Sequence, residues 1–253
     1  MIYDLQKASL LKRFSAFLLD IIVVATIAVG FAFALSAITG YDKYSAAVDQ
    51  TMAEYEKLYG VDYDIDLETY QNFTDAERAN YDKAQQALND DETLMKNYTM
   101  MYSLSMVILS ISTFLGIFSM EFLIPLWLGN GQTIGKKVFG LCLMRVDGVR
   151  VSRLSLFVRA LLGKYTVETM VPILIGLMLM FGTIGFTGTI VLVLLLGLQI
   201  GVMIYTHTNS MIHDLFASTV VVDMASQMIF DTPEALLAYK EKVAAEYAAR
   251  HDR

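Results

Sequence analysis

The sequence predicts an all-α membrane protein: four transmembrane helices, a helical extracytoplasmic insertion after the first, and a short cytoplasmic β-hairpin after the second. Three observations carry that prediction. Hydrophobic residues make up 55% of the 253-residue chain and mean hydropathy is +0.49, against 18% charged residues, so the excess apolar surface has to face lipid. Four apolar runs are long enough to matter: Phe14–Ile38, Tyr102–Leu128, Thr166–Phe181 and Thr187–Tyr205. Lysine and arginine concentrate in alternate connections, as a single membrane topology requires.

Residues 1–41 hold the N-terminus and the first helix. The run from Phe14 to Ile38 is apolar or small except for Asp20, and it follows Lys12-Arg13 directly. At about 1.5 Å per residue it spans a core roughly 30 Å thick. It is too long for a signal h-region and no small-residue cleavage site closes it, so it reads as a retained span. An ionised Asp20 inside it costs about 2.5–3.5 kcal/mol before a partner is found.

Residues 42–101 form the insertion. Its first 57 residues, 42–98, carry five basic and fourteen acidic side chains, which places it outside. Ala46–Tyr59 has a helical pattern, and Thr74-Asp75-Ala76-Glu77 is a capping box in which Thr74 and Glu77 satisfy each other's free amides. Nine of the fourteen tyrosines lie between Tyr41 and Tyr102. They are either an interaction surface or the apolar seams of small helices, and a stripe is more often a seam.

The second helix, 102–128, leads into a basic cytoplasmic loop, 129–165. Residues 129–164 hold seven lysines and arginines (Lys136, Lys137, Arg145, Arg150, Arg153, Arg159, Lys164) against Asp147. Val138–Val146, an Asp147-Gly148 turn and Val149–Ser152 read as a β-hairpin whose arginines face headgroups or solvent. Residues 166–205 form a transmembrane hairpin, since the glycine-punctuated stretch Gly182–Gly188 is too short for anything but a turn. A cytoplasmic tail, 206–253, completes the chain. In it Thr232-Pro233-Glu234 starts a solvated helix that runs to about Arg250. With Cys142 the only cysteine, no internal disulfide forms.

Several motifs fail on spacing. Gly129–Lys137 suggests a phosphate loop, but Asn130 stands where glycine is needed and Lys137 where Ser or Thr would hold magnesium. Asp62, Asp64 and Asp66 alternate like the start of a calcium loop, yet Leu67 and Phe73 occupy its glycine and glutamate positions. His207 and His213 lack a third ligand nearby in sequence. No enzyme, cofactor, metal or nucleic-acid partner is expected.

The intramembrane polar residues are more informative. Asp20, Glu121 and Gln199 each lie six or seven residues from the cytoplasmic end of a different run, with Glu168 shallower, below a rim of Arg13, Lys164, His213 and Asp214. Such a layer is either a set of interhelical contacts that fix packing or a proton and cation site built on coupled carboxylates. On the second reading Asp20 and Glu121 form the ion or proton site. Arg13 pairs with Asp214 as a gate, and Gln199, Glu168 and His213 support them.

Three blocks resemble the RDD family of bacterial membrane proteins, named for one arginine and two aspartates: Arg13–Asp20; Gly131–Leu141 continuing through Asp147-Gly148 to Arg159-Ala160-Leu161; and His213–Val222. The resemblance implies a small helical domain in a bacterial cytoplasmic membrane without a cofactor; the charge counts and the even number of spans put both termini inside. It does not extend to residues 42–98, where family members have a shorter connection. Cation/proton exchange has been ascribed to some members, while others look like accessory proteins acting on membrane partners. As an exchanger of monovalent cations and protons, a chain of four spans needs a homo-oligomer for its pathway. As an accessory protein it offers the acidic cap to a membrane-protein partner.

Overall fold

The computed structural model describes residues 4–180 and 182–251; Phe181, where the third apolar run was expected to end, lies outside them. Helices in chain order are α1 (Leu10–Thr39), α2 (Tyr41–Tyr59), α3 (Leu67–Gln71), α4 (Asp75–Asp90), α5 (Glu92–Phe118) and α6 (Ile124–Leu128). They continue with α7 (Ile134–Val138), α8 (Arg153–Val158), α9 (Val171–Met180), α10 (Gly185–Tyr205), α11 (Ile212–Ala217) and α12 (Pro233–His251). Strands β1 (Leu141–Arg145) and β2 (Thr219–Asp223) are joined antiparallel. Two π-helical segments, Ser119–Leu123 and Arg159–Met170, join α5 to α6 and α8 to α9. Four helical stretches are long and apolar enough to cross a membrane: Leu10–Thr39, Glu92–Leu128, Arg153–Leu179 and Gly185–Tyr205.

The chain divides into two units, Val29–Ser112 and the remainder. Within Val29–Ser112, α2 and α4 pack on Val48, Leu88 and Leu94, with Met52, Tyr55, Tyr63 and Met101 around them. Tyr70 and Phe73 meet Tyr81 edge to face and Tyr63 meets it at a tilt, so these tyrosines are seams of the helical insertion. Thr74 Oγ1 accepts from the Glu77 amide at 3.3 Å while the Thr74 amide donates to Glu77 Oε2 at 2.8 Å, closing the capping box at the start of α4. Thr74→Ala is expected to speed amide exchange in the first turn of α4 roughly fivefold, read by hydrogen–deuterium exchange.

In the other unit, the Arg145–Gly148 turn closes with Gly148 N donating to Arg145 O at 3.0 Å and Arg145 N donating to Val149 O at 2.9 Å. A bridge joins Met144 to Arg150, so the short antiparallel hairpin stands at Asp147-Gly148. Its first strand has a second, longer partner absent from the sequence reading: Leu141 pairs with Asp223 and Arg145 with Thr219 across β2. Alternation then buries both faces. Leu141, Leu143 and Val221 pack with Ala8, Ala16 and Leu156, and Cys142, Met144, Val220 and Val222 pack with Leu5 and Ile229.

Boundaries differ from the sequence reading in several places, one being the second long apolar stretch, which starts at Glu92 rather than at Tyr102. Residues 206–253 are not all tail, because α11 and β2 belong to the core and only α12 remains largely exposed. The basic loop is also shorter than 129–165, since helical structure resumes at Arg153. Arg159 and Lys164 therefore stand on the third membrane-crossing stretch. The apolar run began at Thr166 in sequence because these two charges interrupt it, and their partners come from other elements.

Candidate functional site

Asp20 is buried on α1 and binds the start of α7. Thr133 Oγ1 donates to Asp20 Oδ2 at 2.5 Å and the Gly135 amide donates to Oδ1 at 2.7 Å, while Thr133 Oγ1 also caps α7 by accepting from the Lys136 amide. No lysine or arginine hydrogen-bonds Asp20 among the described residues. Its charge is met instead by a hydroxyl and by a backbone amide at the positive end of a short helix. A Cβ on Gly135 would stand 2.2 Å from Ala16 O and 2.8 Å from Asp20 Oδ1, so only glycine lets α7 approach this closely.

A second carboxylate, Glu121, sits in the first π-helical segment. Arg159 Nη1 donates to its Oε2 at 2.7 Å, Lys164 Nζ donates to Oε1, and Lys136 Nζ lies 3.9 Å from Oε2. Arg159 and Lys164 are five residues apart. An α-helix would turn them to different faces, whereas a helix with i→i+5 bonds stacks them on one. Thr169 Oγ1, donating to Lys164 O five residues back, follows the same wide turn. Both π segments thus carry members of one cluster.

Arg159, 2% exposed, is its centre. While Nη1 holds Glu121, Nε donates to Asp214 Oδ1 at 3.0 Å and Nη2 donates to His213 Nε2 at 2.7 Å. His213 Nδ1 in turn donates to Glu168 Oε1 at 2.6 Å. One neutral tautomer, protonated on Nδ1, satisfies both contacts. Asp214 also accepts from Thr219 Oγ1 at 3.2 Å, and Arg13 Nη2 lies 3.5 Å from its Oδ2, with Arg13 Nη1 donating to Asn209 O at 2.6 Å. Close approach of α11 rests on Gly163, where a Cβ would meet His213 Cβ at 2.4 Å.

Within the cluster, three groups outside the spans have shifted titrations. Burial raises the Asp214 carboxyl, but His213 and the Arg159 and Arg13 guanidiniums outweigh it and hold the group far below the usual range. Burial, helped by Arg159, holds His213 below its ordinary 6.5. Burial also brings the Lys136 ammonium down to about 8, against the pull of Glu121. Since His213 takes a proton near 6.5 when unfolded and only below that when folded, its contribution to stability is complete above 6.5 and is lost as pH falls further. The melting temperature is expected to drop on acidification below 6.5, less steeply in His213→Gln, whose amide can donate to Glu168 and accept from Arg159.

The structure thus brings Arg13, Glu121, Glu168, His213 and Asp214 together through Arg159, and sets Asp20 beside them through the Thr133–Lys136 turn. Gln199 is half-exposed on α10, and its side chain makes no hydrogen bond with the described residues. Arg159, which the sequence reading only counted among the basic residues of the loop, is buried with three acceptors around it. Against the cluster lies a cavity of about 380 Å³ whose lining includes Arg13, Asp20, Lys136, Lys164, Glu168 and His213 together with the apolar Leu10, Phe14, Phe17 and Met203. Among the described residues, no group of three or more His, Cys, Asp and Glu could hold a metal ion.

A model described as the RDD family matches residues 7–218, which include every cluster residue named above except Thr219. No curated protein and no solved structure matches the chain.

Proposed function

Because this chain belongs to the RDD family and is a multi-pass membrane protein, we propose that it acts as a non-transporting accessory protein that engages a membrane partner through its acidic cap, residues 42–101. One observation carries this reading: every buried carboxylate of the cluster is already engaged. Glu121 faces three cations, Asp214 two guanidiniums, Glu168 the His213 ring, and Asp20 a hydroxyl and an amide. A dehydrated cation needs carboxylate oxygens free to replace its water, and a charge-compensated cluster offers none cheaply. Such a cluster serves better as a rigid clamp between spans.

The cap supplies a surface of the opposite kind. It is strongly acidic, and Leu58 and Leu67 stand exposed on it, apolar side chains that a partner could cover. Photocrosslinkers placed at Leu58 and Leu67 in cells are expected to give one discrete protein adduct. Loss of that adduct when neighbouring acids are neutralised would fit the reading, and crosslinking to lipid alone would defeat it.

Exchange of monovalent cations for protons is the competing reading. It is favoured by the Lys136 ammonium, which sits near Glu121 without a hydrogen bond. Both readings share one orientation, with the cap outside and residues 129–152 inside. An impermeant thiol reagent applied from outside is expected to label Asp75→Cys and not Arg150→Cys. Native Cys142 gives little background, since it is buried and burial pushes its thiol to about 11.

A further inference from the structure

We propose that the cavity beside the cluster holds an anionic phospholipid, its phosphate accepting from Lys136 Nζ and the start of one chain lying along Leu10, Phe14 and Phe17. Lys136 is 6% exposed, and its ammonium makes no hydrogen bond among the described residues. Its nearest carboxylate oxygen, Glu121 Oε2, is 3.9 Å away, and that oxygen already accepts from Arg159. Three N–H donors left unmade in a buried place are costly, and an anionic oxygen in the cavity would satisfy them. The other cations on the wall are committed: Arg13 to Asn209 O and Asp214, Arg159 to three acceptors, Lys164 to Glu121. One lysine is then available for one singly charged head.

The apolar part of the lining argues for a lipid rather than a free ion. Leu10, Phe14 and Phe17 follow a spacing of four and three on α1, which puts them on one face, and all three are exposed at the rim. Met203 on α10 continues this apolar lining. Trp127 and Tyr205, 85% and 91% exposed at the ends of two membrane-crossing stretches, are the residue types that sit at headgroup level. A volume of about 380 Å³ suits a head and its first methylenes, and the remaining chain can follow the α1 face into the bilayer.

The test uses the full-length protein with Trp127→Phe and Phe17→Trp, which leaves a single indole at the rim, in nanodiscs of phosphatidylcholine. Adding brominated phosphatidylglycerol should quench this indole with an apparent affinity about tenfold above brominated phosphatidylcholine, the ratio one charge-assisted hydrogen bond supplies. Lys136→Met, which keeps the stem and removes the ammonium, should erase that ratio. Equal quenching by the two lipids would overturn the proposal, as would an undiminished ratio in Lys136→Met. Displacement of the bound lipid by millimolar inorganic phosphate would assign the site to a free anion instead. Should Lys136→Met fail to fold, native mass spectrometry of the wild type decides: co-purified phosphatidylglycerol supports the site, and its absence refutes it.

Discussion

Gly135→Ala is expected to abolish recovery of folded protein from membranes. The added methyl would stand 2.2 Å from the Ala16 carbonyl oxygen and 2.8 Å from Asp20 Oδ1, and the first of these is backbone of α1, which cannot swing aside as a flexible side chain can. Either α1 or α7 must retreat, and both hydrogen bonds to Asp20, from the Gly135 amide and the Thr133 hydroxyl, then lengthen. An aspartate stripped of partners within a span costs about 2.5–3.5 kcal/mol, before the lost packing is counted. Gly30→Ala and Gly197→Ala are matched controls, because a Cβ at either position meets nothing within 4 Å. Both should extract and melt as the wild type does, read by size-exclusion profile and melting temperature in one detergent.

Arg159→Met should destabilise by about 3–5 kcal/mol, the cost of leaving buried charges unpaired. The substitution leaves Asp214 only the Arg13 guanidinium at 3.5 Å and the Thr219 hydroxyl, removes one of Glu121's partners, and leaves the His213 Nε2 lone pair without a donor. Arg159→Lys should not rescue, since a single ammonium cannot reach three acceptors spread around a planar guanidinium. Adding Asp214→Asn to Arg159→Met should recover part of the loss. Arg13→Ala is expected to be the milder change, because Asp214 keeps Arg159 and Thr219. If Arg13→Ala matches Arg159→Met in thermal unfolding, the assignment of Arg159 as the centre is wrong.

Much of this fold is legible in the residues themselves. Apolar runs, helix caps and alternating basic connections are local signals, and the four membrane-crossing stretches, the Thr74–Glu77 box and the helix starting at Pro233 follow from them. Arg159 was not legible as a buried residue. Its partners lie 38, 54 and 55 positions away, and its alignment with Lys164 depends on a π-helical turn that a 3.6-residue period cannot reveal. Asp20 raised the opposite difficulty. Its burial was plain, but its partners are a hydroxyl and a glycine amide, which carry no charge to search for. The pairing of β1 with β2 joins segments about 80 residues apart, and the turn at Asp147-Gly148 drew attention to the nearer pairing alone.

On the accessory reading proposed above, the buried cluster is a charge-compensated clamp rather than a pathway. Cation and proton flux in vesicles that contain only the purified protein decides between the two. With a pH gradient imposed and sodium, potassium or lithium supplied in turn, flux should equal that of protein-free vesicles for every cation. Saturable exchange above that background, abolished by Asp20→Asn in protein that still melts like the wild type, would contradict that reading.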